Sequence, residues 1–195
     1  MFMRPALEAD LQPIKQLYQE AFPRLQRAPF GMLTKQWRRG LLDFLTFREE
    51  DDSFIGFSIN IPEQDLVLID YLAISPQARG SGYGSRALEL LRLYYLGKRI
   101  FLIIEQPDDK APNPEQRIHR KRFYLRNGYA DSGLRINGAE GKMQLLVYTG
   151  NDSAAGHTNT SLVTGEDFLR LQRKSLGNLL MWLGNIHVEK PRFCK

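Results

Sequence analysis

Ile69-Asp70-Tyr71-Leu72-Ala73-Ile74-Ser75-Pro76-Gln77-Ala78-Arg79-Gly80-Ser81-Gly82-Tyr83-Gly84-Ser85 passes from an apolar, strand-like run through a polar spacer into three alternating glycines. Directly afterwards Ala87, Leu88, Leu90, Leu91, Tyr94 and Tyr95 recur at helical spacing, so the glycines stand where a strand gives way to a helix. The first turn of a helix carries N–H groups without intrahelical partners and the positive end of its dipole, and both attract phosphate oxygens. Gly80, Gly82 and Gly84 fit that use, because backbone without Cβ can approach a pyrophosphate closely and adopt positive φ where amides turn inward. Arg79 adds a charged donor. A glycine-rich turn with no ligand is the plain alternative.

Two other phosphate loops fit less well. A Walker loop needs a lysine followed by Ser or Thr, and none stands here. A dinucleotide fingerprint finds Gly80-x-Gly82, but Ser85 replaces its third glycine and the spacer from Ser75 to Arg79 separates strand from glycine; Glu105 is its only further support.

Upstream of this segment, Leu42 to Arg48, Ser53 to Ile61 and Leu66 to Ile74 are three β-rich runs on short connections, which predicts an antiparallel meander. Before them a short first strand precedes an amphipathic helix over Leu7 to Phe22, with Asp10 as its N-cap, and a second helix covers Leu33 to Arg39. Downstream, Gly97 stops the helix and Ile100 to Ile104 reads as a strand buried on both faces, parallel to its predecessor and ending at Glu105. A helix over Glu115 to Asn127, stopped by Gly128, and strands at Tyr129 to Arg135 and Gln144 to Tyr148 follow. The expected class is α/β (α+β), with a mixed, mostly antiparallel sheet flanked by helices. Residues 1–150 are read as the main domain. Residues 151–195 are read as a flexible connection, Asn151 to Thr160, and a helical appendage, Thr164 to Leu183, capped at Thr164 and broken near Gly177.

The 195 residues suit one domain, and no apolar run reaches the roughly 18–20 residues of a membrane span. No secretory h-region opens the chain, so a cytoplasmic location and no membrane partner are expected. The single cysteine, Cys194, rules out an internal disulfide and a cysteine metal site. His119, His157 and His187 have no partner at ligand spacing and read as surface, so no metal is expected; Met143, Met181 and Trp182 read as core or interface. A net charge of +5 admits phosphorylated partners, but the scattered basic residues disfavour nucleic acid.

The segment Ile69 to Ser85 resembles motif A of the GNAT superfamily of N-acetyltransferases, with Arg79, Gly82 and Gly84 on its core positions. Phe123-Tyr124-Leu125-Arg126-Asn127-Gly128-Tyr129 resembles the end of that family's last core helix, and the likeness extends from Met3 to Tyr148. It implies a GNAT fold with a splayed parallel strand pair and acetyl-CoA as cosubstrate. The backbone of Leu72, Ala73 and Ile74 would meet the pantetheine arm, and Gly80, Ser81, Gly82, Tyr83, Gly84 and Ser85 would hold the pyrophosphate beside Arg79. A small-molecule or peptide amine would attack the thioester directly.

Tyr124 is implied as the acid that protonates the leaving thiolate, a role a phenol near its ordinary pKa suits; packing of the helix is its bland alternative. Glu105, at the strand mouth, is the candidate base, with a solvated carboxylate or a contact to a cationic substrate as alternatives. Asp70 ranks below it, because strand alternation places it opposite the face used by Tyr71. The family's asparagine is replaced by Arg117, which with Lys121 and Tyr124 shares a helical face; both cations are expected on CoA phosphates, against a solvated basic face. The alternative function is a non-catalytic acyl-CoA-binding or interaction module. The acceptor would be selected by Phe22 to Trp37, Pro107 to Pro114 and Gly133 to Lys142. The appendage would cover the cleft or support a homodimer.

Overall fold

The computed structural model describes residues 1–138, 141–150, 163–183 and 187–189. The connection Asn151 to Thr160, His157, Cys194, the tip of the Gly133 to Lys142 loop and the side chains of Met181 and Trp182 lie outside the described part. The elements run β1 (Phe2–Pro5), α1 (Leu11–Ala21), α2 (Phe30–Arg38), β2 (Asp43–Arg48), β3 (Phe54–Glu63), β4 (Leu66–Ile74), α3 (Tyr83–Tyr94), β5 (Arg99–Glu105), α4 (Pro114–Arg126), β6 (Tyr129–Gly138), β7 (Gly141–Tyr148), α5 (Gly165–Leu183) and β8 (His187–Val188). One sheet in the order β1-β2-β3-β4-β5-β7-β6-β8 holds all eight strands, and every pair is antiparallel except β4 with β5. The mixed sheet of the sequence reading is therefore present, parallel pair included.

Period-two alternation divides the apolar side chains between two faces. On one face Phe57, Ile59, Ile61 and Leu68 pack under Ile14 and Leu17 of α1, Leu33 of α2, and Phe168 and Leu171 of α5. On the other, Val67, Ile69 and Leu102 pack under Ala87, Leu88 and Leu91 of α3, with Phe123 and Tyr124 of α4 at the margin. The C-terminal helix thus covers the sheet beside α2. Thr164 caps it: the Asp167 N–H donates to Thr164 Oγ1 at 3.1 Å, and Gly177 breaks it at φ 72°.

Two irregularities in β4 create the cleft. Its parallel pairing with β5 ends at Ile69 opposite Leu102, although β4 runs on to Ile74 and β5 to Glu105. The strands splay from there. On its other edge the ladder to β3 slips: Tyr71 stands opposite Ile59 and Ile69 opposite Asn60, which leaves Asp70 as an extra residue. A bulge reverses the alternation beyond it. Asp70 and Tyr71 consequently share the α1/α5 face, correcting the expectation that alternation sets them on opposite sides.

At the N-terminus a short 3-10 turn, Glu8–Asp10, replaces the predicted first turn of α1. Asp10 does not cap the helix. Its buried carboxylate accepts from Arg4 at 2.7 Å, from the Leu7 N–H at 2.7 Å and from Arg48, tying β1 and β2 to the start of α1.

Candidate active site

Beyond Ile74 the chain makes one 3-10 turn, Pro76–Ala78, and Arg79 donates from Nε to the Ile74 carbonyl at 3.0 Å, folding the spacer back on the strand end. Gly80 and Gly82 take φ of 84° and 82°, where side chains with Cβ are strained. Gly82 is the N-cap of α3, and the first paired amide of the helix is that of Arg86, donating to the Gly82 carbonyl at 3.1 Å. The amides of Gly80, Ser81, Gly82, Tyr83, Gly84 and Ser85 have no partner among the described residues. Gly84 differs from the other two glycines: a Cβ there would lie 3.1 Å from the Phe123 ring, so its purpose is the close approach of α4 to α3.

The splay opens into a cavity of about 1030 Å³. Leu72, Ala73, Ile74 and Arg79 lie on the wall nearest the glycine loop, and Tyr124 projects from α4. The Tyr124 ring packs against Phe123 and Tyr129 at 5.1 and 5.7 Å, while its hydroxyl has no hydrogen-bond partner among the described residues. Burial pushes this phenol up to about 12, slightly opposed by the Arg120 charge, so it remains protonated at neutral pH. On the opposite wall Tyr71 donates to the Gln26 carbonyl at 3.0 Å and accepts from the Ala28 N–H at 3.2 Å, which pins the chain between α1 and α2 over the opening.

Glu105 is 6% exposed and saturated. Its Oε2 accepts from Arg120 at 2.6 Å; its Oε1 accepts from Gln26 at 3.1 Å and faces Arg117 at 3.2 Å. A carboxylate this buried and held by two guanidiniums and an amide is committed to structural partners, which speaks against its expected use as base and corrects the alternative of a solvated group. The same geometry corrects the two cations. Arg117 also donates to Asn113 at 2.9 Å and to the Gln106 carbonyl at 3.2 Å, and Lys121 donates to Asp131 at 3.2 Å and Gln144 at 2.9 Å. Both are engaged with β5, β6 and β7 rather than turned to the glycine loop. The face of α4 on the cavity is Gln116, His119, Arg120, Phe123 and Tyr124, so His119 is exposed as expected and also borders the site.

Asp70 is the site residue that sequence reasoning set aside. Its Oδ1 accepts from Gln172 of α5 at 2.9 Å, and its Oδ2 is enclosed with no hydrogen-bond partner among the described residues. Burial pushes this carboxyl up to about 6, only partly opposed by the Gln172 bond. The signal that could have found it was an aspartate inside an otherwise apolar strand; the bulge that turns it inward had no local signature. Among the described residues no group of three or more His, Cys, Asp or Glu could hold a metal ion, and no helix is long and apolar enough to cross a membrane.

Residues 11–129 match the family model described as acetyltransferase (GNAT) family. No curated protein matches the sequence. Among solved structures, an acetyltransferase assigned to the GNAT family from Bacteroides thetaiotaomicron superimposes with a TM-score of 0.67 at 22% identity, over 91% of this chain and 99% of that one. An aminoglycoside 6'-N-acetyltransferase in complex with coenzyme A gives 0.61 at 16% identity, over 75% of this chain and 96% of that one. A spermidine N-acetyltransferase from Vibrio cholerae, in complex with CoA and spermine, gives 0.58 at 12% identity, over 74% and 92%.

Proposed function

The chain belongs to the GNAT family of acetyltransferases, and from that premise we propose that it transfers the acetyl group of acetyl-CoA to an amine by direct attack on the thioester. The observation that carries this reading is the splay of β4 from β5 after Ile69, with a loop of unpartnered amides at one end and a protonated phenol beside it. Residues that fit the cosubstrate are the edge of β4 from Leu72 to Ile74 for the pantetheine arm, and Gly80 to Ser85 with Arg79 for the pyrophosphate. Arg117 and Lys121 are left out because both are committed to other partners. Two of the superimposed structures contain CoA, which supports the same choice.

In the reaction the thioester carbon passes from sulfur to nitrogen, and the departing thiolate needs a proton. Tyr124 is proposed to supply it, since a phenol held protonated in a water-poor wall can donate as the sulfur gains charge. Residues 1–150 would carry the cosubstrate site, with the segment 151–195 adding α5 as one wall of the acceptor side. Calorimetric titration with CoA and thiol release from acetyl-CoA with an amine panel test the reading. Tyr124→Phe is expected to keep CoA affinity and lower kcat roughly 10²-fold; undiminished turnover would assign the proton to water instead.

A further inference from the structure

The acceptor half of the cavity contains a mismatch. Asp70 Oδ2 and Gln172 Oε1 are both buried acceptors without a donor among the described residues, and they belong to side chains already joined through Asp70 Oδ1 and Gln172 Nε2 at 2.9 Å. A buried acceptor left unpaired is costly, the more so when charged. A donor with several N–H bonds and a positive charge would satisfy both acceptors. The apolar walls of the cavity are Phe22, Leu25, Tyr71, Ile136, Met143 and Phe168, and of the other two carboxylates that line it Glu105 is paired with Arg117 and Arg120 while Glu20 is exposed to solvent on α1.

We propose that Asp70 receives the ammonium of the acceptor and takes up its proton, with Gln172 positioning the carboxylate, and that the acceptor is a primary amine on a single apolar body. The inference rests on the acetyl-transfer reading of the site. The ammonium gives one proton to Asp70, and the freed lone pair forms the N–C bond as the C–S bond breaks. The thiolate takes the Tyr124 proton, the second proton shed by nitrogen restores that phenol, and Asp70 returns its own to solvent. The second cation of a polyamine would meet either apolar wall or the solvent-exposed Glu20, where an ion pair is worth little, and a polyhydroxylated amino sugar would set hydroxyls against Phe22, Met143 and Phe168.

The groups that face Asp70 are consistent with its titrating alone. Tyr18 of α1 and Tyr71 feel its charge, and burial holds both phenols well above their ordinary range. From β3 the same face presents Phe57, Ile59 and Ile61, none of them charged. Arg27, between α1 and α2, donates to the Gln19 carbonyl. Arg170 and Lys174 of α5 turn to Glu63 and the Pro62 carbonyl, and across the splay Glu105 is paired.

The test uses the full chain with 2-phenylethylamine, 1,4-diaminobutane and glucosamine in a thiol-release assay. The expected kcat/KM is at least about tenfold higher for 2-phenylethylamine, and Asp70→Asn lowers its kcat on the order of 10²-fold or more. In the wild type kcat/KM should rise with pH through a limb near the free-enzyme Asp70 value of about 6, and Gln172→Leu should move that limb upward, because the hydrogen bond it removes favours the charged form. Carboxyl carbon NMR of the CoA complex, with Asp70 assigned from Asp70→Asn, gives a readout independent of turnover: 2-phenylethylammonium should lower the Asp70 midpoint. Preference for either other amine, no turnover of 2-phenylethylamine, full activity of Asp70→Asn, or a midpoint unmoved by the amine each overturns the inference. If the wild type fails to bind CoA, the acetyl-transfer reading is what has failed.

Discussion

Glu105 at the end of β5 and Asp70 in the middle of β4 occupy one cavity, and the fold surrounds them in opposite ways. Glu105 was drawn in with its counter-charges: two guanidiniums and an amide fill its oxygens. Asp70 was drawn in with one amide and keeps an oxygen without a partner. Burial alone disfavours a charge, and nearby opposite charges offset that cost, so the first arrangement is a salt-bridged structural group and the second a carboxyl pushed up to about 6. Position along a strand does not tell these roles apart. What α4 and α5 bring to each carboxylate does.

The comparison can be broken by removing either group. Glu105→Ala leaves Arg117 and Arg120 without their shared partner and is expected to destabilise the fold by about 3 kcal/mol, at the low end for a broken buried pair because the Arg120 side chain is 33% exposed; the urea midpoint measures it. Asp70→Asn should do the reverse. A carboxyl raised from 3.8 to about 6 by folding contributes stability that is fully present below 3.8 and lost as pH rises through 6. The asparagine variant should therefore match the wild type at pH 4 and exceed it at pH 8, by about 2 kcal/mol after discounting the partial exposure of Asp70. A gain independent of pH would mean that Asp70 is not the buried titrating group.

The smallest change touches neither carboxylate. Gly84→Ala places a methyl 3.1 Å from the Phe123 ring and should cost about 1 kcal/mol, with weaker CoA binding and an unaltered pH profile. Denaturation and CoA calorimetry at pH 6 and 8 check both halves of that expectation.

What could be read in the sequence was local. Strand runs, the glycine loop, the Thr164 cap, the Gly177 break and the parallel pair across a helix follow from spacing within about 20 residues, and all of them stand in the structure. The glycine loop and the strand before it, proposed as the cosubstrate side, were legible for the same reason. The surroundings of Asp70, proposed as the acceptor side, were not, because they depend on register and on distant partners. The slip between Ile59 and Asn60 belongs to a pairing of two strands, and nothing in either strand announces it. Arg117 and Arg120 were visible as cations three residues apart on a helix, but their destination, Glu105, required knowing which strand α4 lies against. Asp10, polar and ahead of an apolar periodicity, looked like a cap and is instead the centre of a buried ion cluster.

The bond between Asp70 and Gln172 joins residues 102 positions apart. A chain made from its N-terminus at about 5–20 residues per second emits residue 172 roughly 5–20 s after residue 70. During that interval β4 can fold while its aspartate stays hydrated and ionised. The arrival of α5 is then the event that dries the carboxylate and raises its proton affinity, so the proposed acceptor side is completed later than the strand that carries it.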